Sequence, residues 1–289
     1  MRAMEPSSRR LPGTQGLTLH ALEWSRDGTL LLFLHGFGND SHVWDWVAPA
    51  VAPHYRVVAL DHRGHGQSDR DPEGRYDHET MARDVAAALD ALDAPRAVIV
   101  GHSLGGRVAM RFAGLFPERV AGLVIVDSAP ELDARGTTRI RLDVQQQEPT
   151  FATLRDYERV LARQYPATRP EILARLAVHW TRQRDDGRFE LRLDPAFMRG
   201  RRGASDEELA RWSAEEAKHL WRALEQLPCP ALVVRGAASD VLSADVADKM
   251  ADEALRNGRL EVVDRAGHSV MLDNPEGFEK ALVGFVLGD

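Results

Sequence analysis

Short apolar runs rich in β-branched residues recur along this chain and alternate with amphipathic stretches of helical periodicity. Such runs are typical of strands buried on both faces of a sheet, and strand, helix, strand alternation implies parallel strands joined by right-handed crossovers. The helical stretch 77–92 has Asp77 as a candidate N-cap. We predict an α/β fold: a mostly parallel, doubly wound sheet flanked by helices, with strands at 30–34, 57–60, 97–100, 123–126, 231–234 and 260–263.

The alternation lapses between residues 131 and 226, where the pattern turns helical and a long gap separates two strand candidates. This predicts an inserted all-helical cap, here called the cap segment (residues 131–226). Residues 1–130 and 227–289 then form the core. An inserted cap is expected to roof a pocket, and its aromatic side chains are candidate substrate contacts. These candidates are Trp180, Phe197, Trp212 and Trp221.

Composition excludes several classes of function. With 37 basic and 44 acidic side chains, the net charge of −7 offers no general attraction to nucleic acid or anionic lipid. The one cysteine, Cys229, excludes an internal disulfide and a cysteine-built metal site. The polar start, residues 1–16, lacks the apolar stretch of a signal peptide, and no window approaches the length of a bilayer span. We expect a cytoplasmic protein with no membrane insertion.

The strongest chemical signal is Gly-His-Ser-Leu-Gly-Gly at residues 101–106, which follows an expected strand and opens a helical stretch. A sharp strand-to-helix turn forces the serine into a strained backbone conformation, so small residues are needed at 101 and 105. The turn presents Ser103 at its tip as a candidate nucleophile. The backbone N–H of Leu104, at the start of the helix, is free to bind an oxygen of the group under attack.

A serine hydroxyl needs a base within hydrogen-bond reach. Among eleven histidines, His268 lies on the loop between the last expected strand and the C-terminal helix that begins near Pro275. Parallel topology brings that loop to the same edge of the sheet as Ser103. The imidazole needs an acidic partner in turn, and Asp240 ends the loop that leaves the penultimate strand. Asp127, directly after the neighbouring strand candidate, is a credible substitute.

The first expected strand runs into His35-Gly36-Phe37-Gly38-Asn39 at the same edge. Glycines let a backbone N–H approach the reacting oxygen without obstruction. The N–H groups of Phe37 and Leu104 are therefore the candidate oxyanion hole, and His35 is expected to brace the loop.

Together these features resemble the α/β-hydrolase fold superfamily, from about Leu17 to Leu287. The resemblance implies a nucleophile at Ser103, an acid at Asp240, a base at His268 and oxyanion donors at Phe37 and Leu104. The segment 61–69 is similar to the loop that follows the fourth strand in that superfamily, where its role is mainly architectural. The resemblance implies a chemistry but no particular substrate.

Serine at the turn favours acyl transfer over epoxide or halide chemistry, because a serine alkylated by such substrates would be a dead-end ether. We therefore expect a carboxylesterase-like serine hydrolase that acts on a small-molecule ester. Lactones, thioesters and the activated carbon–carbon bonds of vinylogous diketones suit the same machinery. Two different functions are also compatible with the sequence: a menaquinone-pathway-like elimination enzyme, which Arg107 would fit, and a non-enzymatic ligand receptor.

No cofactor is expected. The sequence has no His-Glu-x-x-His motif, and His62 and His65 are three residues apart but on a loop. No Gly-x-Gly-x-x-Gly motif occurs in the context of a dinucleotide site. The expected partner is a small molecule, with neither metal nor nucleic acid.

Overall fold

The computed structural model describes residues 4–146, 148–198 and 205–288. Eight strands form its central sheet: β1 (Ser7–Pro12), β2 (Thr18–Glu23), β3 (Leu30–Leu34), β4 (Arg56–Leu60), β5 (Ala97–His102), β6 (Val120–Val126), β10 (Ala231–Gly236) and β11 (Gly258–Val263). Three short strands lie in the cap segment: β7 (Thr150–Phe151), β8 (Thr181–Gln183) and β9 (Phe189–Leu191).

The spatial order of the central sheet is β1-β2-β4-β3-β5-β6-β10-β11. The strands from β4 to β11 in this order are parallel. At the opposite edge, β1 and β2 pair antiparallel, and β2 also pairs antiparallel with β4.

Side chains of the central strands alternate between two apolar layers, one on each face of the sheet. In β3, Leu30, Leu32 and Leu34 point into one layer, while Leu31 and Phe33 point into the other. All five are buried. Continuous apolar sequence is the expected signature of a strand covered on both faces, because neither set of alternating side chains meets water.

Helices cover both faces of the sheet. The described helices are α1 (Ala48–Val51), α2 (His78–Ala91), α3 (Leu104–Leu115), α4 (Ala134–Gln146), α5 (Leu154–Gln164), α6 (Pro170–His179), α7 (Asp206–Glu225), α8 (Ala244–Asp248), α9 (Val270–Asp273) and α10 (Pro275–Leu287). Helices α2, α3 and α7 pack in the layer of Leu32, whereas α1 and α10 pack in the layer of Phe33.

The expected α/β architecture is confirmed, and each of the six expected strands corresponds to an observed strand. Asp77 caps α2 as expected, because its side chain accepts a hydrogen bond from the N–H of Thr80. Two features differ from the expectation. The antiparallel strands β1 and β2 have no counterpart among the predicted strands, and β11 is an edge strand rather than a strand buried on both faces. Val262 in β11 is accordingly 50% exposed.

The cap segment is not purely helical, so the expectation of an all-helical cap is wrong. Besides α4 to α7 it contains a three-stranded antiparallel sheet in the order β7-β9-β8. These strands have two or three residues each. Such short strands show no twofold alternation that the sequence pattern could have revealed.

The loop after β4 has a structural role centred on a buried cation. Arg63 is fully buried, and its guanidinium donates to the carboxylates of Asp71 (2.8 Å) and Asp84 (2.6 Å). It also donates to the side chains of Thr14 and Gln15 near the N-terminus. A buried charge needs this degree of pairing, and the network ties the loop after β4 to α2 and to the start of the chain.

We predict opposite effects of two glycine-to-alanine substitutions in helices. A Cβ at Gly105 in α3 would lie 2.3 Å from the carbonyl oxygen of Leu34, which is backbone and cannot yield easily, whereas a Cβ at Gly284 in α10 meets nothing within 4 Å. Gly105→Ala should therefore lower the free energy of unfolding by about 1–3 kcal/mol or more. Gly284→Ala should raise it by about 0.5–1 kcal/mol. Urea unfolding monitored by circular dichroism measures both, and equal effects would contradict the tight approach of α3 to β3.

Candidate active site

Ser103 lies in the sharp turn between β5 and α3, with backbone angles of φ 52° and ψ −114°. Residues other than glycine rarely adopt this backbone conformation. In this turn α3 starts very close to the sheet. Gly101 allows the approach because it has no Cβ, and a Cβ there would lie 2.3 Å from the carbonyl oxygen of Gly105. Backbone hydrogen bonds hold the serine, whose N–H donates to the Val126 carbonyl while its carbonyl accepts from the Ser128 hydroxyl. The residue is half-buried at the carboxyl edge of the sheet.

His268 lies on the loop between β11 and α9, and its Nε2 is 3.0 Å from Oγ of Ser103. Its Nδ1 is 2.8 Å from Oδ2 of Asp127. Carboxylate, imidazole and hydroxyl thus form one continuous row of hydrogen bonds. Since the carboxylate can only accept, the proton on the ring belongs to Nδ1, and Nε2 is left to accept from the serine hydroxyl.

Asp127 holds this position from the end of β6. It is fully buried, and its backbone has a φ of 45°. Its carboxylate accepts from the backbone N–H of Gly236 (3.1 Å) and from the hydroxyl of Ser239 (2.6 Å), in addition to His268. Gly236 ends β10 and Ser239 lies on the loop that follows it. These donors satisfy a buried charge and fix its direction towards the imidazole.

The structure corrects the choice of Asp240 as the partner of His268. The carboxylate of Asp240 points to the cap segment, where Nε and Nη2 of Arg139 in α4 donate to its two oxygens at 2.6 and 2.9 Å. The hydrogen bond with Arg139 lowers the pKa of Asp240 below its ordinary value. From the loop after β10 it is Ser239 that donates to Asp127, whereas Asp240 lines the cavity with its carboxylate on Arg139.

Chain order does not distinguish Asp127 from Asp240, because both lie between Ser103 and His268 in the sequence, whereas strand order does. In the sheet β6 lies between β5 and β10, so the residue that ends β6 is adjacent to the turn of Ser103. Asp127 and Asp240 both follow a strand, and the sequence pattern makes both of them candidates. The feature that separates them is the guanidinium of Arg139, which comes from a segment 101 positions away from Asp240 in the sequence.

The loop after β3, here called the oxyanion loop (residues 35–39), leaves a backbone donor free beside the serine turn. Neither Phe37 N–H nor Leu104 N–H has a hydrogen-bond acceptor among the described residues. His35 braces this loop as expected: its Nε2 accepts from the backbone N–H of His62, so Nδ1 carries the proton and donates to the Gly36 carbonyl. Beside Ser103, two free N–H groups are suited to bind a negatively charged oxygen.

Four further histidines cluster behind the site, and burial keeps them neutral. Desolvation lowers the pKa of His35, His62 and His102 below the ordinary value, and lowers the pKa of His65 to about 3. His102 has a specific contact, since its Nε2 donates to the carbonyl of His268 at 2.9 Å. The residue next to the serine therefore supports the loop that carries the imidazole.

A cavity of about 520 Å³ opens above Ser103 and His268. Its volume is in the range of small-molecule sites. Of the four cap aromatics expected to line it, only Trp180 does so, with its Nε1 donating to Oδ1 of Asp40 at 3.1 Å. Burial and the neighbouring Asp61 raise the pKa of Asp40 to about 7. This contact joins the cap segment to the residue that follows the oxyanion loop.

The other three cap aromatics are not among the residues lining the cavity. Phe197 packs against the rings of Phe37 and Tyr76. Trp212 is 43% exposed on α7, and Trp221 donates to Glu131 and lies under the ammonium group of Lys249. Both tryptophans belong to α7, which packs against α3 in the layer of Leu32 and so does not reach the cavity.

The cavity wall also contains residues that the sequence pattern does not single out. Tyr165 follows α5, and its hydroxyl accepts from Nδ2 of Asn39 at 3.3 Å. Arg139 and Asp143 come from α4, and Asp273 ends α9. No motif marks these positions: Tyr165, Arg139 and Asp143 reach the cavity through the packing of the cap segment on the core, and Asp273 reaches it from the short helix after His268. Among the described residues, no group of three His, Cys, Asp or Glu side chains is arranged to hold a metal ion.

Comparison with known proteins agrees with this geometry. A family model described as alpha/beta hydrolase fold matches residues 29–275. The esterase Rv0045c of Mycobacterium tuberculosis (strain ATCC 25618 / H37Rv) is 28% identical over 283 residues, which cover 95% of this chain and 87% of the relative. A putative 2-succinyl-6-hydroxy-2,4-cyclohexadiene-1-carboxylate synthase of Bacillus subtilis (strain 168) is 27% identical over 254 residues, 88% of each chain.

Among solved structures, the crystal structure of E-2-(acetamidomethylene)succinate hydrolase superposes with a TM-score of 0.84 at 27% sequence identity. The match covers 97% of this chain and 99% of that one. The similarity therefore extends over the cap segment as well as the sheet.

The two acidic residues should respond differently to amide substitution. Asp127→Asn would place an amide against Nδ1 of His268 and favour the wrong ring tautomer, so turnover of p-nitrophenyl acetate should fall by about 10³–10⁴-fold in kcat. Asp240→Asn, the matched control, removes a carboxylate that bonds Arg139, and kcat should change far less. Steady-state kinetics of both variants, with circular dichroism to verify folding, decides between them. A larger loss in Asp240→Asn would identify Asp240 as the acid instead.

Proposed function

Because the chain belongs to the α/β-hydrolase family, we propose that it hydrolyses a carboxylic ester of a small or medium-sized molecule through an acyl-enzyme on Ser103. The observation that carries the proposal is the unbroken row from Asp127 through His268 to the hydroxyl of Ser103, at 2.8 and 3.0 Å. A serine hydroxyl becomes an effective nucleophile only with a base so placed.

In the first half of the reaction Nε2 of His268 takes the hydroxyl proton as Oγ of Ser103 bonds to the substrate carbonyl carbon. The carbonyl electron pair moves to the oxygen, which the N–H groups of Phe37 and Leu104 bind. The ester C–O bond then breaks as the leaving alkoxide takes the proton from Nε2, giving the alcohol and the acyl-enzyme. Water repeats the sequence on the acyl carbon and releases the acid.

Asp127 stabilises the imidazolium that exists between the two proton transfers. Its carboxylate already accepts hydrogen bonds from Gly236 and Ser239, so it stays oriented towards the imidazole throughout the cycle. Oxyanion donors also act on charge that develops only during reaction, and each is worth about 3 kcal/mol of transition-state stabilisation.

The cap segment, with the boundaries 131–226, is proposed to roof the substrate pocket with its part before α7, because α7 packs on α3 and does not line the cavity. Tyr165, Trp180 and the helix α4 contribute to the cavity wall over Ser103. Arg139 is already bonded to Asp240 through two N–H groups, so it is not a free receptor for a substrate anion. The wall combines aromatic side chains with charged ones, and its volume favours acyl groups of modest length.

Other carbonyl substrates are second candidates on the same machinery. The relative named as an esterase supports ester hydrolysis, while the structural neighbour named for 2-(acetamidomethylene)succinate keeps substrates other than simple esters in consideration. Lactones and vinylogous diketones belong to this group. A purely receptor role would leave the base and acid beside Ser103 without a use.

An elimination reaction has less support. Arg107, in the first turn of α3, is the residue that would favour it, yet Nη1 of Arg107 donates to the carbonyls of Ala129 and Pro130. Arg107 is not among the residues that line the cavity. A relative named as a putative synthase of the 2-succinyl cyclohexadiene carboxylate is the observation in favour of elimination.

The proposed partner is a small molecule and the proposed location is the cytoplasm. Within the described part of the chain, no helix has both the length and the apolar composition needed to cross a membrane.

Replacement of the nucleophile should abolish turnover without unfolding the protein. Ser103→Ala should lower kcat for p-nitrophenyl acetate by about 10⁴-fold or more, because removal of one triad member disables the rest. Mass spectrometry of the wild-type protein quenched during turnover should find one acetyl group on the peptide that contains Ser103. A variant that kept the wild-type rate, or an adduct on another residue, would contradict the proposal.

A substrate panel ranks the candidate functions. It contains p-nitrophenyl esters of graded chain length, lactones and a vinylogous diketone, with Ser103→Ala as the blank. We expect short and medium esters to have the highest kcat/KM, because the cavity holds about 520 Å³. Preference for the diketone by an order of magnitude or more would replace ester hydrolysis with carbon–carbon bond hydrolysis on the same residues.

A further inference from the structure

The loop that carries His268 is held from two sides. On one side the backbone N–H of Gly267 donates to Oδ2 of Asp273 at 2.9 Å. On the other, Nε2 of His102 donates to the carbonyl of His268 itself. His268 therefore cannot move with its loop without the loss of a hydrogen bond to the backbone.

The second oxygen of Asp273 bonds to the cap segment. Oδ1 accepts from the hydroxyl of Thr168 at 2.9 Å, and Thr168 is only 6% exposed. Thr168 belongs to the turn between α5 and α6, here called the cap turn (residues 165–169). One carboxylate thus bridges the cap turn and the loop of His268, and it does so at the wall of the cavity.

The same turn contacts the oxyanion loop. Tyr165 opens the cap turn, and its hydroxyl accepts from the side-chain amide of Asn39. The N–H of Thr168 donates to the carbonyl of Tyr165, which closes the turn internally. The cap turn therefore touches the loops on both sides of Ser103, through Asn39 on one side and Asp273 on the other.

Asp273 also bears on the charge of His268. Four titratable groups lie around the imidazole: Asp127 follows β6, Asp273 ends α9, His102 ends β5, and Asp240, whose carboxylate is turned towards Arg139, lies on the loop after β10. Burial keeps His102 neutral, and Arg139 of α4 is bonded to Asp240. Burial raises the pKa of Asp273, while the hydrogen bonds from Gly267 and Thr168 act in the opposite direction.

We propose that Asp273 is a positioning residue for His268, which couples the cap turn to the base and adds a second negative charge that stabilises the imidazolium. The inference rests on the proposed function only for the role of His268 as a base. When the cap turn is seated, Thr168 fixes the carboxylate and the carboxylate fixes Gly267. Displacement of the turn loosens the base, so catalysis depends on the seated cap segment.

Two substitutions separate the effect of the Asp273 charge from the effect of its hydrogen bond with Thr168. Asp273→Asn keeps an oxygen for Gly267 N–H and an amide for Thr168 but removes the charge. The imidazole should then lose its proton at lower pH, moving the acidic limb of kcat/KM down by about 0.5–1 pH unit, with a roughly threefold to tenfold lower plateau kcat. Thr168→Val removes the hydrogen bond to Asp273 but keeps the charge of Asp273, so kcat should fall without a change in the pH midpoint or in KM. Thr168→Ser should restore kcat.

Asp264→Asn is the matched control. Asp264 is an exposed carboxylate on the same loop, and loss of its charge should leave kcat and the pH midpoint at wild-type values. Thermal unfolding of every variant verifies folding. If Asp273→Asn fails to fold, the Thr168→Val and Thr168→Ser pair decides alone, because wild-type kcat in Thr168→Val overturns the coupling. Wild-type midpoint and kcat in folded Asp273→Asn, or an equal shift in the control, overturn it as well.

A substrate-free readout keeps this inference distinct from the proposed function. NMR titration of the ¹³C-labelled protein follows the protonation of His268 in the absence of any ester substrate. The midpoint is compared between the wild type and Asp273→Asn, and ester turnover is measured separately with Ser103→Ala as the blank. A lower midpoint in Asp273→Asn together with no Ser103-dependent ester turnover would reject the proposed function and support the inference. Ester turnover that depends on Ser103, together with an unchanged NMR midpoint in Asp273→Asn, would support the proposed function and reject the inference.

Discussion

The close approach of α3 to the ends of β3 and β5 is the constraint on which the site depends. It brings Ser103 to the carboxyl edge of the sheet with a φ of 52°, a conformation that costs about 1–3 kcal/mol in an ordinary residue. The surroundings determine it, since Gly101 and Gly105 leave no room for a Cβ and backbone hydrogen bonds fix the serine on both sides. The same approach leaves the Leu104 N–H free beside the hydroxyl.

Parallel strand order then decides which side chains meet there. The strands β3, β5 and β6 are neighbours that end at one edge, so the loops of Phe37, Ser103 and Asp127 converge at that edge. His268 arrives from the far edge strand, β11, on a loop that crosses above β10. The acid is fixed by donors from the end of that intermediate strand, Gly236 and Ser239.

Local signals make much of this predictable. The apolar runs, the glycine spacing around Ser103 and the position of His268 are all properties of short segments, and they suffice for the sheet, the serine turn and the placement of His268 beside Ser103. The prediction that Asp240 is the partner of His268 is wrong because the orientation of Asp240 depends on Arg139, which bonds to it from another part of the chain. The strands of the cap segment could not be predicted because strands of two or three residues show no periodicity. The prediction that Trp212 and Trp221 contact a substrate is wrong because α7 packs in the layer of Leu32.

Burial separates His268 from the other histidines at this edge. His35, His62, His65 and His102 are enclosed and have depressed pKa values, so they act as neutral hydrogen-bonding groups or packing elements. A cation at His102, whose ring centre is 4.7 Å from that of His268, would oppose the imidazolium that the proposed reaction forms. Desolvation prevents this, and in the proposed reaction it leaves proton transfer to His268, which is half-buried and has both a carboxylate partner and a serine hydroxyl within reach.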